Sequence, residues 1–253
     1  MLRDKRRWRT LGLMDWVGRH EPMLLVALAL IGGGLWGFIK LVNEIAEQET
    51  HAFDEAILLA MRSATDRSDP VGPQWMEELG RDFTALGGMG VLTFLTLAVA
   101  GFLLLQRQFR LTILVLIAVF GGYLMSTLLK QGFDRPRPNL VPHSVYVYTA
   151  SFPSGHSMMS AVTYLTLGAL LARSQIRWRM KAYFLLIALF LTVAVGVSRV
   201  YLGVHWPTDV VAGWTAGAVW ALLCWLIARQ LQRQGQIEKA GEEEQNYEQS
   251  DTR

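Results

Sequence analysis

The stretch Ser198-Arg-Val-Tyr-Leu-Gly-Val-His-Trp-Pro-Thr-Asp209 lies between two long apolar segments, residues 182–197 and 210–228. It places an arginine, a histidine and a carboxylate where a membrane protein would otherwise carry hydrocarbon. Each ionisable group inside a membrane segment costs about 2.5 to 3.5 kcal/mol on insertion scales. Because function is the usual reason for keeping such groups, this stretch predicts a functional site among membrane helices.

The composition of the whole chain indicates a membrane protein. Of its 253 residues, 52% are apolar and 18% are charged, whereas about a quarter of the residues of a soluble chain carry a charge. The mean hydropathy is positive, at +0.27. We expect no nucleic-acid partner for such a chain.

Six apolar runs have about the length that a helix needs to cross a bilayer, roughly 20 residues. They are residues 23–42, 87–105, 111–129, 157–171, 182–197 and 210–228. We therefore predict an all-α fold, a bundle of six transmembrane helices, in which polar flanking residues lengthen the fourth and fifth helices. This membrane domain, 23–228, follows a basic interfacial segment at 1–22 and precedes a polar, disordered tail at 229–253.

Lysine and arginine residues gather in segments that lie on one side of the predicted bundle. They are frequent in residues 1–22, in the loops 106–110 and 172–181, and in the tail, whereas the 43–86 loop on the other side is rich in Glu and Asp. Positive charge in short loops favours the cytoplasm. We therefore predict cytoplasmic termini and an outward-facing 43–86 loop that carries short amphipathic helices.

The first of three polar clusters begins at Lys130 and ends at Arg137-Pro138. Pro136 and Pro138 bracket Arg137, prevent a regular helix and fix the direction of the guanidinium. By itself the cluster would pass for a basic helix flank, but such flanks belong mainly on the inner face, and this one is predicted to face outward. The neighbouring Arg135 receives no assigned role.

The second cluster, Ser151-Phe-Pro-Ser154-Gly155-His156, runs directly into the fourth apolar segment. Ser154 can cap that helix, and Gly155 lets the backbone approach a ligand closely, so that free amides and the positive helix end face a bound anion. This pattern predicts a phosphate cradle. An ordinary helix start with an interfacial His156 is the plainer alternative.

The third cluster joins Ser198-Arg199 to His205 and Asp209. With Pro207 opening a helix, His205 and Asp209 are four residues apart and can share one face, so that the carboxylate can accept a hydrogen bond from one ring nitrogen. The other nitrogen is left to act as a nucleophile or a base. A purely structural ion pair is the alternative.

Together the clusters form the order Lys-x6-Arg-Pro, Pro-Ser-Gly-His and Ser-Arg-x5-His-x3-Asp, in residues 130–138, 153–156 and 198–209. This order resembles the type 2 phosphatidic-acid phosphatase superfamily, which includes bacterial membrane lipid phosphatases, glucose 6-phosphatase and the vanadium haloperoxidases. The resemblance covers residues 110–228. It implies a multi-pass enzyme of the bacterial inner membrane, and the predicted topology places the three clusters at the outer, periplasmic interface.

The resemblance also implies a role for each residue of the site. His205 is the nucleophile that forms a phosphohistidine, Asp209 fixes its tautomer, and His156 supplies a proton to the departing oxygen. Loss of one good phosphate donor in such a site commonly costs about 10² to 10³ in rate. The phosphate-binding residues would be Lys130, Arg137, Ser154, Gly155 (through its amide) and Arg199.

We expect a reaction without a metal or another cofactor. Three fixed cations already neutralise a phosphate, and the motif's one carboxylate, Asp209, is committed to a histidine rather than free for magnesium. A zinc site formed by His156, His205 and Asp209 is the alternative, although three cations would surround it.

The expected substrate is an anionic lipid phosphate or pyrophosphate. Groups at outer helix ends lie at headgroup level, so a lipid tail can stay in the bilayer while its phosphate reaches the site. Candidates by resemblance are phosphatidic acid, phosphatidylglycerol phosphate, diacylglycerol pyrophosphate, undecaprenyl pyrophosphate and lipid A phosphates, with undecaprenyl pyrophosphate phosphatase activity as the second choice. A vanadate-dependent haloperoxidase and a membrane transporter are alternatives from other classes.

Overall fold

A computed structural model describes residues 22–139 and 150–233 of the chain. Within these two ranges the regular structure is helical and includes no β-strand, which confirms the all-α prediction. The basic segment up to residue 21 and the tail beyond residue 233 lie outside the described residues. The helices are α1 (Pro22–Ala46), α2 (His51–Ala60), α3 (Gln74–Leu86), α4 (Met89–Leu105), α5 (Phe109–Gly132), α6 (Gly155–Arg173), α7 (Trp178–Tyr201) and α8 (Pro207–Arg233).

A helix forms at each of the six predicted apolar runs, but fewer than six helices qualify as membrane spans by themselves. In the described residues α1, α5, α7 and α8 are long and apolar enough to cross a bilayer. Helices α3 and α4 pass the same test only as a pair, bent by 49°. The chain is thus a multi-pass membrane protein with four or five candidate spans.

The helix α6 occupies the position of the fourth predicted span and is not among these candidates. Its side chains are almost all buried between residues 157 and 168, many of them Ser, Thr or Gly. It packs against α4, α5, α7 and α8. Because its neighbours separate it from lipid, it needs no apolar outer surface, and small residues let the surrounding helices come close.

The outward surfaces of the other long helices are strongly apolar. Trp36 on α1, Phe120 on α5 and Phe190 on α7 each expose 60% or more of their surface. A water-soluble protein rarely exposes continuous apolar surface of this kind. These faces therefore suit contact with lipid tails.

The contact between α6 and α8 is close at two glycines. A Cβ atom added to Gly213 would lie 2.6 Å from the carbonyl oxygen of Ser154, and one added to Gly217 would lie 2.5 Å from that of Met158. No larger residue fits without a shift of the backbone. The two glycines thus bring the first turn of α6 against the first turns of α8.

The segment predicted as the 43–86 loop is largely helical. α1 continues to Ala46, and α2 and α3 are the short helices that the sequence predicts there. α2 lies against α8, while α3 packs against α7 and leads into α4. α2 buries Asp54 together with Leu58, and this aspartate contributes to the site described next. At the other end of the chain α8 continues to Arg233, beyond its predicted end at residue 228.

Candidate active site

The three polar clusters meet at one end of the helix bundle. Lys130 lies in the last turn of α5 and Arg199 in the last turn of α7, while His156 lies in the first turn of α6 and Asp209 in the first turn of α8. The backbone N–H of Ser154 donates to the carbonyl oxygen of Asp209 at 3.0 Å. This bond ties the start of α6 to the start of α8.

His205 is almost completely buried, and hydrogen bonds define which of its nitrogens carries the proton. Nη1 of Arg137 lies 3.1 Å from His205 Nε2 and 2.8 Å from the carbonyl oxygen of Val204. Because a guanidinium only donates, Nε2 is the acceptor and Nδ1 carries the hydrogen. Nδ1 faces Asp209 Oδ2 at 3.4 Å and the hydroxyl of Ser151 at 3.3 Å. The resulting tautomer has its lone pair on Nε2.

The predicted pairing of His205 with Asp209 is present, although the two residues do not share a helix face. α8 begins at Pro207, where a missing N–H and a fixed φ favour the first helical position. His205 therefore precedes the helix. The Asp209 carboxylate turns back over the helix start and accepts the backbone N–H of Trp206 at 3.0 Å, which brings it to the histidine.

Asp209 is fully buried and accepts hydrogen bonds at both carboxylate oxygens. The Ser151 hydroxyl donates to Oδ2, and Nη1 of Arg135 donates to Oδ1 at 2.6 Å. Ser151 was not assigned to the site from the sequence, and Arg135 had no role. With four donors around it, Asp209 is held in one orientation relative to His205.

The environment of His205 keeps its ring neutral at physiological pH. Burial lowers the pKa of His205 to about 4, against the opposing effect of its hydrogen bond to Asp209. A neutral imidazole with a free electron pair is the form that can attack an electrophile.

Three cations surround the space next to His205. Lys130 Nζ donates to the carbonyl oxygen of Ala150 at 3.1 Å, and its charge interacts with those of Arg137 and Arg199. Arg199 is buried, and its Nε has no hydrogen-bond partner among the described residues. A buried donor that lacks a partner is costly unless a ligand supplies one. The cluster is therefore suited to a multiply charged anion.

The start of α6 supplies backbone donors to the same space. Ser154 is the N-cap residue, and its Oγ accepts from the N–H of Ser157 at 3.4 Å and from the Ser157 hydroxyl at 2.9 Å. A Cβ atom at Gly155 would lie 3.3 Å from Lys130 Cε, so glycine leaves room for the lysine beside the helix end. The first amides of a helix lack intrahelical partners and bind anions well.

His156 is half-buried in the first turn of α6 and faces this space. Its ring interacts electrostatically with His205 and with the cations of Lys130, Arg137 and Arg199. The structure thus brings together all of the site residues that were predicted from the sequence. They are Lys130, Arg137, Ser154, Gly155, His156, Arg199, His205 and Asp209.

The zinc alternative finds no support in residues 22–139 and 150–233. No group of three His, Cys, Asp or Glu side chains there is arranged to hold a metal ion. Asp209 would also have to give up donors from Ser151, Trp206 and Arg135 to bind one.

Sequence analysis missed Asp54. This residue of α2 is fully buried: its Oδ2 accepts from Arg135 Nη2 at 2.7 Å, and its Oδ1 accepts the backbone N–H of Thr208 at 2.9 Å. A signal was available, because Asp54 is four residues before Leu58 and so lies on the apolar face of an amphipathic helix. A carboxylate on such a face predicts a buried partner.

Comparison with known proteins identifies the family. The model of the PAP2 superfamily matches residues 110–233. The chain is 33% identical to phosphatidylglycerophosphatase B of Bacillus subtilis over 181 residues, which cover 71% of this chain and 85% of that protein. It is 30% identical to lipid A 1-phosphatase of Rhizobium etli over 182 residues, 61% of this chain and 74% of the relative. It is also 33% identical to undecaprenyl-diphosphatase of Sulfolobus acidocaldarius over 106 residues, 42% and 46% of the two chains.

A solved structure agrees with the sequence relatives. The crystal structure of a transmembrane PAP2-type phosphatidylglycerolphosphate phosphatase from Bacillus subtilis matches with a TM-score of 0.71 and 28% identity. The match covers 79% of this chain and 96% of that one. The order of the three clusters in the sequence, their convergence in space and these matches lead to one conclusion: the chain belongs to the PAP2 superfamily.

Proposed function

We propose that this protein hydrolyses a membrane lipid phosphate or pyrophosphate, without a metal ion, through a phosphohistidine intermediate. It is a phosphatase by its relatives, and the observation that supports this mechanism is the tautomer of His205. Its neutral ring directs the lone pair of Nε2 toward a space bordered by Lys130, Arg137 and Arg199. A nucleophile with three cations beside it suits attack on an anionic phosphorus centre.

In the first step Nε2 of His205 attacks phosphorus and the bond from phosphorus to the leaving oxygen breaks. Arg137 moves from Nε2 onto a phosphate oxygen, where Lys130 and Arg199 also bind. The His205 ring becomes positively charged, and Asp209 stabilises that charge through the N–H on Nδ1. His156, in its protonated form, gives its proton to the leaving oxygen.

In the second step water attacks the phosphorus of the phosphohistidine. His156, now neutral, takes a proton from the water, and the nitrogen–phosphorus bond breaks. Inorganic phosphate leaves, and His205 returns to its neutral form. The Ser154 hydroxyl and the Gly155 amide would hold non-bridging oxygens in both steps, where the developing charge is largest.

The proposed setting is a bacterial inner membrane with the site on the periplasmic side. Helices α1 and α4–α8 would form six membrane-embedded helices, α6 being enclosed by the others, and both termini would be cytoplasmic. The apolar surfaces of α1, α5 and α7 support immersion in lipid. A site at the helix ends can receive a headgroup while the lipid tail stays in the bilayer.

The names of the relatives refer to different lipids, so we choose the first candidate substrate by how much of this chain each relative matches. Phosphatidylglycerol phosphate is our first choice, because the Bacillus subtilis relative is matched over most of both chains. Undecaprenyl pyrophosphate is the second, supported by a shorter match.

The test is phosphate release by the purified protein in detergent micelles that contain one lipid at a time. Phosphatidylglycerol phosphate, phosphatidic acid, undecaprenyl pyrophosphate and a lipid A phosphate form the panel. We expect turnover of at least one, inhibition by vanadate, and no phosphate release from a folded His205→Ala variant. Bromide oxidation by hydrogen peroxide in the presence of vanadate would indicate a haloperoxidase, and solute movement without hydrolysis would indicate a transporter; either result would replace this proposal. Substantial phosphate release by His205→Ala would show that another residue is the nucleophile.

A further inference from the structure

Three ionisable side chains behind His205 form a buried series. They are Asp54 on α2, Arg135 in the loop after α5, and Asp209 on α8. Nη2 of Arg135 lies 2.7 Å from Oδ2 of Asp54, and Nη1 of Arg135 lies 2.6 Å from Oδ1 of Asp209. Only 13% of the arginine side chain is exposed, and both carboxylates are fully buried. Burial of three charges is costly unless they neutralise one another and satisfy their hydrogen bonds.

Thr208 forms hydrogen bonds to two members of this series, Asp54 and Arg135. Its hydroxyl donates to Asp54 Oδ2 at 2.6 Å and accepts from Arg135 Nη1 at 2.8 Å, while its backbone N–H donates to Asp54 Oδ1. The guanidinium of Arg135 also lies 5.8 Å from the centre of the Trp206 ring. Arg135 is therefore held on both sides and presents Nη1 to Asp209 in a single direction.

The charges explain why a second carboxylate is needed. Arg135 alone would neutralise Asp209, and the carboxylate would then stabilise a positive imidazole less well. Asp54 adds a negative charge on the far side of Arg135, so the three groups together carry a net charge of minus one. The stabilising field at His205 is thereby kept while Asp209 stays fixed.

We propose that Asp54 and Arg135 are positioning residues for the nucleophile: Arg135 orients Asp209 toward His205, and Asp54 holds Arg135 and offsets its charge. This inference rests on the proposed function. It makes α2 part of the reaction machinery, because the helix contributes a group that acts on His205 through two intermediates. A merely structural role, in which Asp54 only anchors α2 to the start of α8, is the competing explanation.

The two explanations differ in the direction of a pH effect. His205 has to be neutral to attack, so its protonation sets the acid limb of the pH–rate profile, the range in which kcat falls as the pH is lowered. Removing the negative charge of Asp54 makes His205 release its proton more easily, and the limb moves to lower pH. Removing the positive charge of Arg135 has the opposite effect, and the limb moves to higher pH. If Asp54 only anchors α2, the two substitutions should not move the acid limb in opposite directions.

The experiment compares the pH profiles of Asp54→Asn, Arg135→Gln and the double variant with that of the wild type. The same lipid substrate is used throughout, so that ionisation of the substrate affects all four profiles equally. The other charged groups facing His205 stay the same in all of them: Arg137, Arg199, Lys130, His156 and Asp209. We expect kcat to fall about tenfold in each single variant, the lower end of what outer-shell partners contribute at metal sites. The acid limb should move by about half a pH unit in opposite directions, and in the double variant the shifts should largely cancel.

The matched control is Glu55→Gln, which removes a carboxylate from the adjacent position of α2, where the side chain is 38% exposed and pairs with His51. Its kcat and pH profile should equal those of the wild type. Acid limbs that stay in place, or that move in the same direction in both single variants, would overturn the inference. If Asp54→Asn does not give a folded protein, Arg135→Gln decides alone, and a limb that is unmoved or moved to lower pH contradicts us. A wild type that releases no phosphate from any lipid would instead reject the proposed function.

Discussion

Replacing Asp209 by Asn tests the hydrogen-bond geometry at His205 without changing the size of the side chain. In the structure both oxygens of Asp209 accept hydrogen bonds: Oδ1 from Arg135, and Oδ2 from Ser151 and the backbone of Trp206, with His205 Nδ1 also facing it. An amide has one oxygen and one NH₂ group. Whichever way it is turned, its NH₂ group meets at least one of these donors.

The unfavourable contact has two measurable consequences. A buried donor left without an acceptor costs about 1 to 3 kcal/mol of folding free energy. If the NH₂ group faces His205, the ring adopts the other tautomer, with its hydrogen on Nε2, opposite the Arg137 donor. An enzyme whose catalytic histidine has the wrong tautomer loses about 10⁴ in kcat, which corresponds to about 5.4 kcal/mol in the activation barrier. We expect a loss of this size here.

The assay is the initial rate of inorganic phosphate release in mixed micelles, together with thermal unfolding in the same detergent. Asp82→Asn is the matched control, because Asp82 is an exposed carboxylate on α3, and it should retain wild-type activity and stability. A folded Asp209→Asn protein that keeps more than about a tenth of the wild-type kcat would refute the reasoning, because tautomer control would then contribute less than about 1.4 kcal/mol.

Three further predictions concern pH, packing and metals. Because burial lowers the pKa of His205 to about 4, the acid limb of kcat/KM, corrected for the ionisation of the substrate, should lie near pH 4; an acid limb centred at pH 6.5 would mean that the ring is solvated. Gly217→Val should lower the stability by about 1 to 3 kcal/mol, since its Cβ would lie 2.5 Å from a carbonyl oxygen, whereas Gly37→Val, with nothing within 4 Å of its Cβ, should have a much smaller effect in the same thermal assay. EDTA should leave turnover unchanged, and activity lost to EDTA but restored by zinc would contradict the metal-free mechanism.

The sequence predicted which clusters lie together more closely than it predicted the number of candidate membrane spans. Prolines and a helix start are local features, and the predicted topology put all three clusters on one side of the bundle, where the structure brings their side chains together. The four-residue spacing predicted that His205 and Asp209 meet, but not the geometry of the contact, because His205 precedes the helix. Hydropathy measures suitability for lipid contact, so it located α6 but could not show that neighbouring helices surround it in place of lipid. A helix in that position can carry Ser157, Ser160 and Thr163, all fully buried.

The roles of Asp54 and Arg135 depend on contacts between residues that are far apart in the chain. Asp54 precedes Arg135 by 81 positions, and no short motif connects them. The apolar face of α2 indicated that Asp54 needs a buried partner, but several arginines could have supplied it. Only the folded arrangement of α2 against α8 identifies Arg135 as that partner.

The hydrogen bond between Arg137 and His205 Nε2 has a consequence for selectivity. Without substrate, the electron pair that would react is engaged by a guanidinium, so a neutral alkylating reagent meets a shielded nitrogen. In the proposed mechanism an anionic group would draw the guanidinium onto itself and uncover the ring in the same movement. Recognition of charge and exposure of the reactive atom would then be one event, which would protect the substrate-free protein from modification by uncharged electrophiles.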